Sequence, residues 1–185
     1  MEPEKEKEKP EIDAENVEFE NEEYKEEKLA MKLKKLMSEK FGINTFRPNQ
    51  ETAVLNVMKG KHVLVIMATG GEKSLIYQLP ALMQNGVTVV ISPLKSLMLE
   101  QVMDLQEKNI CAEQLMGRSC PRHEVIYSKL LNMDIIKLLY VTPEKIVKNS
   151  RFSNILKILY ERNMLNQFVV DENLSNLSNI KYVSQ

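Results

Sequence analysis

The sequence predicts an α/β fold in which a parallel sheet is covered by helices on both faces. Three observations predict it. Short, near-continuous apolar runs recur at Lys61–Met67, Val87–Ser92, Leu138–Val141 and Gln167–Val170, as in strands buried on both sides. Stretches of helical periodicity separate these runs. Each run also ends in a polar cluster, and open α/β sheets bind ligands at the carboxyl ends of their strands.

Taken in order, Met1 to Glu23 is dense in Glu and Lys and poor in apolar residues. Such a stretch cannot bury enough surface to offset its chain entropy, so a disordered charged tail is expected over 1–23. Residues 24–41 predict a helix, with Leu29, Leu33, Leu36 and Met37 at helical spacing and Gly42 as its stop. Lys32, Lys34 and Lys35 form a solvated basic face beside that stripe. Phe46-Arg47-Pro48-Asn49-Gln50 is a turn-like entry to a helix reaching about Met58. Lys61 to Met67 predicts a strand, and Lys73 to Gln84 a helix despite Pro80. Val87–Ser92 is a second strand and Leu94–Lys108 a helix. A weaker strand at Glu113–Met116 precedes a helix at Arg122–Asn132. Leu138–Val141 is a strand, Ser150–Asn163 a helix, and Gln167–Val170 a strand ending at Asp171-Glu172. Residues 24–172 therefore form one domain, followed by an Asn/Ser-rich tail over 173–185.

The 185 residues suit one domain, and 43% hydrophobic content supports a core. No apolar run reaches the roughly 18 residues of a membrane span, and no apolar signal core follows Met1, so a soluble protein with no membrane partner is expected. Residues 1–30 hold 13 acids against 5 lysines, a charge of −8; the remainder holds 13 acids against 20 bases, a charge of +7. A basic globular part suits a polyanion, and equally an ordinary charged surface. Cys111 and Cys120 are too far apart for a CxxC site, and with two histidines no zinc cluster is expected; the thiols should be reduced.

Thr69-Gly70-Gly71-Glu72-Lys73-Ser74 links the strand at Lys61–Met67 to the next helix. Strand, glycine loop and Lys-Ser at a helix start form the layout of a phosphate-cradling loop. Thr69, Gly70 and Gly71 would supply the cradle, Lys73 would neutralise β/γ-phosphate charge, and Ser74 would ligate Mg²⁺. Asp171 and Glu172 match a Walker B pair, with Asp171 on Mg²⁺ and Glu172 polarising water; acids also end strands for no such reason. Gln50 has an amide able to read adenine, or is simply an exposed residue at a helix start. Ser92, Lys95, Ser96 and Thr142 are placed for phosphate contacts or for plain helix capping.

These pieces, in this order, resemble the first motor domain of RecQ-family DNA helicases, most closely of the Bloom syndrome type. The matching text includes Phe41-Gly42-Ile43, Phe46-Arg47-Pro48-Asn49-Gln50 and Lys73-Ser74-Leu75-Ile76-Tyr77-Gln78-Leu79-Pro80-Ala81. It continues in Val89-Val90-Ile91-Ser92-Pro93-Leu94-Lys95-Ser96-Leu97 and in Leu138-Leu139-Tyr140-Val141-Thr142-Pro143-Glu144-Lys145-Ile146, and ends at Asp171-Glu172. The resemblance implies a RecA-like P-loop NTPase domain and descent from ATP-driven 3′-to-5′ helicases of DNA repair and recombination in the nucleus. It implies ATP and Mg²⁺ as cofactors, with catalysis by Lys73, Asp171 and Glu172. It puts Gln50 at the adenine, and Ser92, Lys95, Ser96, Thr142 and Glu144 against DNA. Single-stranded and duplex DNA are the implied partners, with other genome-maintenance proteins.

Four departures from the family pattern stand out. Glu72 replaces a glycine and brings negative charge to a phosphate site, and Ala68 replaces a proline. Asn173-Leu174 follows Asp171-Glu172 where the family has Ala-His. The second motor domain, with its arginine finger, lies outside the sequence. A fragment inactive on its own is therefore expected. The competing expectations are a non-catalytic module binding single-stranded DNA or protein, and a gene-model fragment with no separate role.

Overall fold

The computed structural model describes residues 14–67, 72–117, 120–132 and 136–171, with side chains from Tyr24 onward. The chain divides into two compact units, Met1–Thr45 and Phe46–Gln185. In the first, helix α1 spans Ala14–Phe41. Its opening turns reach back into the stretch read above as charged tail, because Glu, Lys and Ala are strong helix formers and need no core to adopt the conformation. Leu33 and Met37, one turn apart, are fully buried. Gly42 ends the helix at φ +69°, its N–H on the Ser38 carbonyl at 3.1 Å, a left-handed stop that glycine adopts without a Cβ penalty.

The second unit is built on a four-stranded parallel sheet of order β2-β3-β1-β4. Its strands are β1 (Val87–Ile91), β2 (Ala112–Leu115), β3 (Leu138–Val141) and β4 (Leu165–Val170). The helices are α2 (Gln50–Met58), α3 (Leu75–Met83), α4 (Lys95–Glu107), α5 (Pro121–Leu131), α6 (Pro143–Lys148) and α7 (Ser150–Glu161). Every residue of β1 and β3 is buried, as continuous apolar runs require. Alternation then sorts their side chains to two faces. Val87, Val89, Ile91, Leu139 and Val141 share a core with Ile126, Tyr127 and Leu130 of α5 and Phe152, Ile155 and Leu159 of α7. On the other face Tyr140 meets Tyr77 of α3 and Gln101 of α4.

Two elements differ from expectation. Lys61–Met67 is not a strand: it joins no ladder, and Leu64 and Ile66 are 88% and 89% exposed. Its β-branched, apolar composition marks a segment that fits a pleated surface, but a strand exists only when a neighbour pairs with it. Among the described strands none does. Edge strand β4 shows the same deficit, leaving Phe168 and Val170 about half exposed. Helix α6 appears where no helix was expected. Pro143 begins it, its fixed φ suiting a first turn and its missing N–H costing nothing there.

A buried polar cluster joins α5 to α6. Lys145, 5% exposed, places Nζ 3.2 Å from Nδ1 of His123. An ammonium only donates, so Nδ1 accepts and the ring is neutral, with its proton on Nε2. Burial, then the Lys145 charge, hold the His123 imidazole below its ordinary 6.5; Glu124 opposes this and Arg122 adds to it. The unfolded chain therefore takes up a proton near that value that the folded chain refuses. Stability is whole above 6.5 and falls as the pH drops below it. Thermal melts should give a lower Tm at about pH 5.5 than at about pH 7.5, with the difference reduced in His123→Gln.

Candidate nucleotide and nucleic-acid site

Three of the candidate residues align at the carboxyl edge of the sheet. Thr142, Ser92 and Asp171 directly follow β3, β1 and β4, which are neighbours in that order. The Ser92 N–H donates to the Val141 carbonyl at 3.1 Å and the Asp171 N–H to the Ile91 carbonyl at 3.0 Å. Parallel pairing thus aligns three strand ends that lie far apart in sequence.

Lys73 and Ser74 form the turn that opens α3, both half-buried. Ser74 makes no side-chain cap bond, so its hydroxyl is not committed to closing the helix. Tyr77, one turn further on, donates from its hydroxyl to Asp171 Oδ2 at 3.4 Å. That bond ties the helix carrying Lys73 and Ser74 to the strand end carrying Asp171. The Tyr77 hydroxyl also lies 3.5 Å from that of Tyr140, which donates to Gln101 Oε1 at 3.4 Å. Burial, then the nearness of Tyr140 and Asp171, push Tyr77 well above its ordinary 10, and burial pushes Tyr140 up to about 12. Both therefore stay protonated and act as donors. Sequence reasoning missed this pair, although Tyr77 stands at i+3 from Ser74, on the same helix face.

Gln50 is fully buried, not an exposed helix-start residue. Its Oε1 accepts from the Arg47 N–H at 2.7 Å, and its Nε2 donates to the Glu72 carbonyl at 3.3 Å. Glu72 is exposed, sits at φ +50° and directs a carboxylate oxygen to within 3.4 Å of the Arg47 guanidinium. The carboxylate is therefore matched by a cation from the start of α2. Arg47 thus joins Glu72 and Gln50 in one contact network, and in the sequence it stood only as motif text.

The DNA-facing candidates separate by burial. Lys95, Ser96 and Glu144 are exposed, whereas Ser92 and Thr142 are 1% and 4% exposed. The Ser92 hydroxyl oxygen is buried with no hydrogen-bond partner among the described residues. Thr142 precedes α6 without a side-chain cap bond, and its carbonyl accepts from Lys145 N–H at 3.0 Å. The exposed three are therefore the group a strand of nucleic acid can reach. Thr69, Gly70, Gly71 and Glu172 lie outside the described residues. Among the described residues no three His, Cys, Asp or Glu side chains converge as a metal cluster, and no helix is long and apolar enough to cross a membrane. Cys111 and Cys120 are both exposed.

A parallel sheet with helices on both faces and polar residues at its carboxyl edge is the frame of an open α/β domain, which binds ligands at that edge. The chain belongs to the DEAD/DEAH box helicase family, whose pattern it matches over residues 47–178. Within that family it is similar to RecQ-type helicases over about three quarters of its length. It is 44% identical over 142 residues to the RecQ-like DNA helicase BLM of Xenopus laevis, covering 76% of this chain and 10% of that protein. It is 43% identical over 142 residues to the ATP-dependent DNA helicase hus2/rqh1 of Schizosaccharomyces pombe, covering 74% and 11%. With the ATP-dependent DNA helicase Q1 of Rattus norvegicus it shares 42% over 143 residues, covering 76% and 23%. The chain thus spans between a tenth and a quarter of the length of these relatives.

Proposed function

We propose that this chain carries the nucleotide-binding half-site of a RecQ-type helicase and, as given, neither unwinds DNA nor hydrolyses ATP at a measurable rate. The observation that carries this reading is the Tyr77–Asp171 bond, which joins the Lys73-Ser74 helix start to the strand-end carboxylate. Lys73 would face the β/γ-phosphates, Ser74 and Asp171 would hold Mg²⁺, Glu172 would orient water, and Gln50 would lie at the adenine. A bound Mg²⁺ would supply neutralisation of phosphate charge. What this chain's own residues contribute is orientation: Tyr77 fixes the Asp171 carboxylate, and Gln50 fixes the end of the loop through the Glu72 carbonyl. Against turnover stands Glu72, a carboxylate beside the expected phosphates. Its lineage favours a nuclear location, with single-stranded and duplex DNA and genome-maintenance proteins as the partners to test.

A second reading, a non-catalytic module for single-stranded DNA, is favoured by exposed Lys95 and Ser96 at the sheet's carboxyl edge. The purified 185-residue protein decides between them. Phosphate-release and strand-displacement assays should show no activity, with or without DNA; DNA-stimulated turnover would sink the inactive-fragment reading. Oligonucleotide binding that weakens steeply with salt and ignores nucleotide would favour the second reading. No binding even at low salt would remove it.

A further inference from the structure

Two contacts reach Glu72 from the segment that leads into α2, and a third ties their donors together. The Arg47 guanidinium lies 3.4 Å from its carboxylate, with the two side chains 48% and 40% exposed. The Gln50 amide nitrogen donates to its carbonyl at 3.3 Å. The Gln50 amide oxygen accepts from the Arg47 backbone N–H at 2.7 Å, which orients the Gln50 side chain. The same Glu72 carbonyl accepts from the Leu75 N–H at 3.1 Å, so it also begins the turn into α3. A residue at φ +50° is held in a conformation that disfavours a side chain; here its charge finds a partner that glycine would lack.

We propose that Glu72 is an internal latch: its carboxylate occupies Arg47, and its carbonyl occupies Gln50, in competition with a nucleoside triphosphate. This rests on the nucleotide reading of the site, and goes beyond simple repulsion between Glu72 and phosphate. Guanidinium is a forked donor suited to carboxylate or phosphate oxygens, and a phosphate that engages Arg47 must compete with the carboxylate already paired to it. Fixed charges acting independently would make the effect of removing Glu72 the same whether or not Arg47 is present. A latch makes it depend on Arg47, because the gain comes from releasing that side chain.

The test is a double-mutant cycle read as equilibrium binding of magnesium ATP to the full chain at low salt. Its members are the parent protein, Glu72→Gln, Arg47→Ala and the double variant, with Glu72→Gly beside them. Glu72→Gln keeps the length and backbone conformation of the residue and removes only its charge. Both altered side chains are substantially exposed, and circular dichroism checks that each variant is folded. On the scale of an exposed ion pair plus the lifted competition, Glu72→Gln should tighten binding about tenfold, and no more than about threefold in the Arg47→Ala background. An equal or larger gain without Arg47 overturns the latch and leaves the nucleotide reading standing. Absence of ATP binding in every variant, Glu72→Gly included, overturns both.

Discussion

Glu72→Gly is expected to convert weak or absent nucleotide binding into measurable binding. One effect acts on affinity and another on stability. A carboxylate about 4 Å from a phosphate oxygen costs roughly 1 kcal/mol in water and several at a lower effective dielectric, so its removal is worth tenfold in affinity or more. Glu72 also sits at φ +50°, a left-handed conformation that costs a side-chain-bearing residue about 1–2 kcal/mol and glycine nothing. The loss of the Arg47 ion pair, exposed on both sides, offsets less than about 1 kcal/mol of this. The variant should therefore bind ATP and melt no lower than the parent. Titration with a fluorescent ATP analogue and a thermal melt check both. Equal tight binding in both proteins would mean that the loop tolerates the carboxylate.

Among the described glycines, Gly86 should be the one whose change to alanine does most damage. Gly86 lies just before β1 at φ +103°, and a Cβ there would land on the carbonyl group of Met164, 2.6 Å from its carbon and 2.9 Å from Asn166 Oδ1. Met164 cannot retreat, because its carbonyl accepts the Val87 N–H at 2.8 Å in the first rung between β1 and β4. Strain of this kind, added to a lost rung, is worth on the order of 3 kcal/mol, a large share of the stability of a domain this size. The register that brings Asp171 beside Ile91 would loosen with it. A large fall in Tm and faster exchange of the Asp171 amide should follow. A Tm within a degree or two of the parent would contradict the contact.

Most of the sheet was legible in the sequence because its inner strands are buried on both faces. Val87–Ile91 and Leu138–Val141 contain little but apolar and β-branched residues, and turn signals bracket them. Helix α7 was legible from Phe152, Ile155 and Leu159 at helical spacing, all buried. Lys61–Met67 was misleading for the same reason that the others were not. Its composition resembles theirs, yet pairing depends on a neighbour that composition does not record. The site divides likewise. Lys73, Ser74 and Asp171 stood out by residue type and position relative to predicted elements. Tyr77, Tyr140 and Gln101 carried no chemical signature and became part of the site only when three elements met.

The sequence by itself determined the lineage and the parallel sheet, and marked the positions expected to meet phosphate, because local motif text and hydrophobic period need no partner to be recognised. Tertiary structure alone decided what those positions face. It paired Glu72 with Arg47, buried Gln50 against the Glu72 carbonyl, tied Asp171 to Tyr77, and left Leu64 and Ile66 in solvent. Each of these outcomes joins groups or edges distant along the chain. Their energies depend on separation, burial and the presence of a partner, quantities that exist only once the chain has closed on itself.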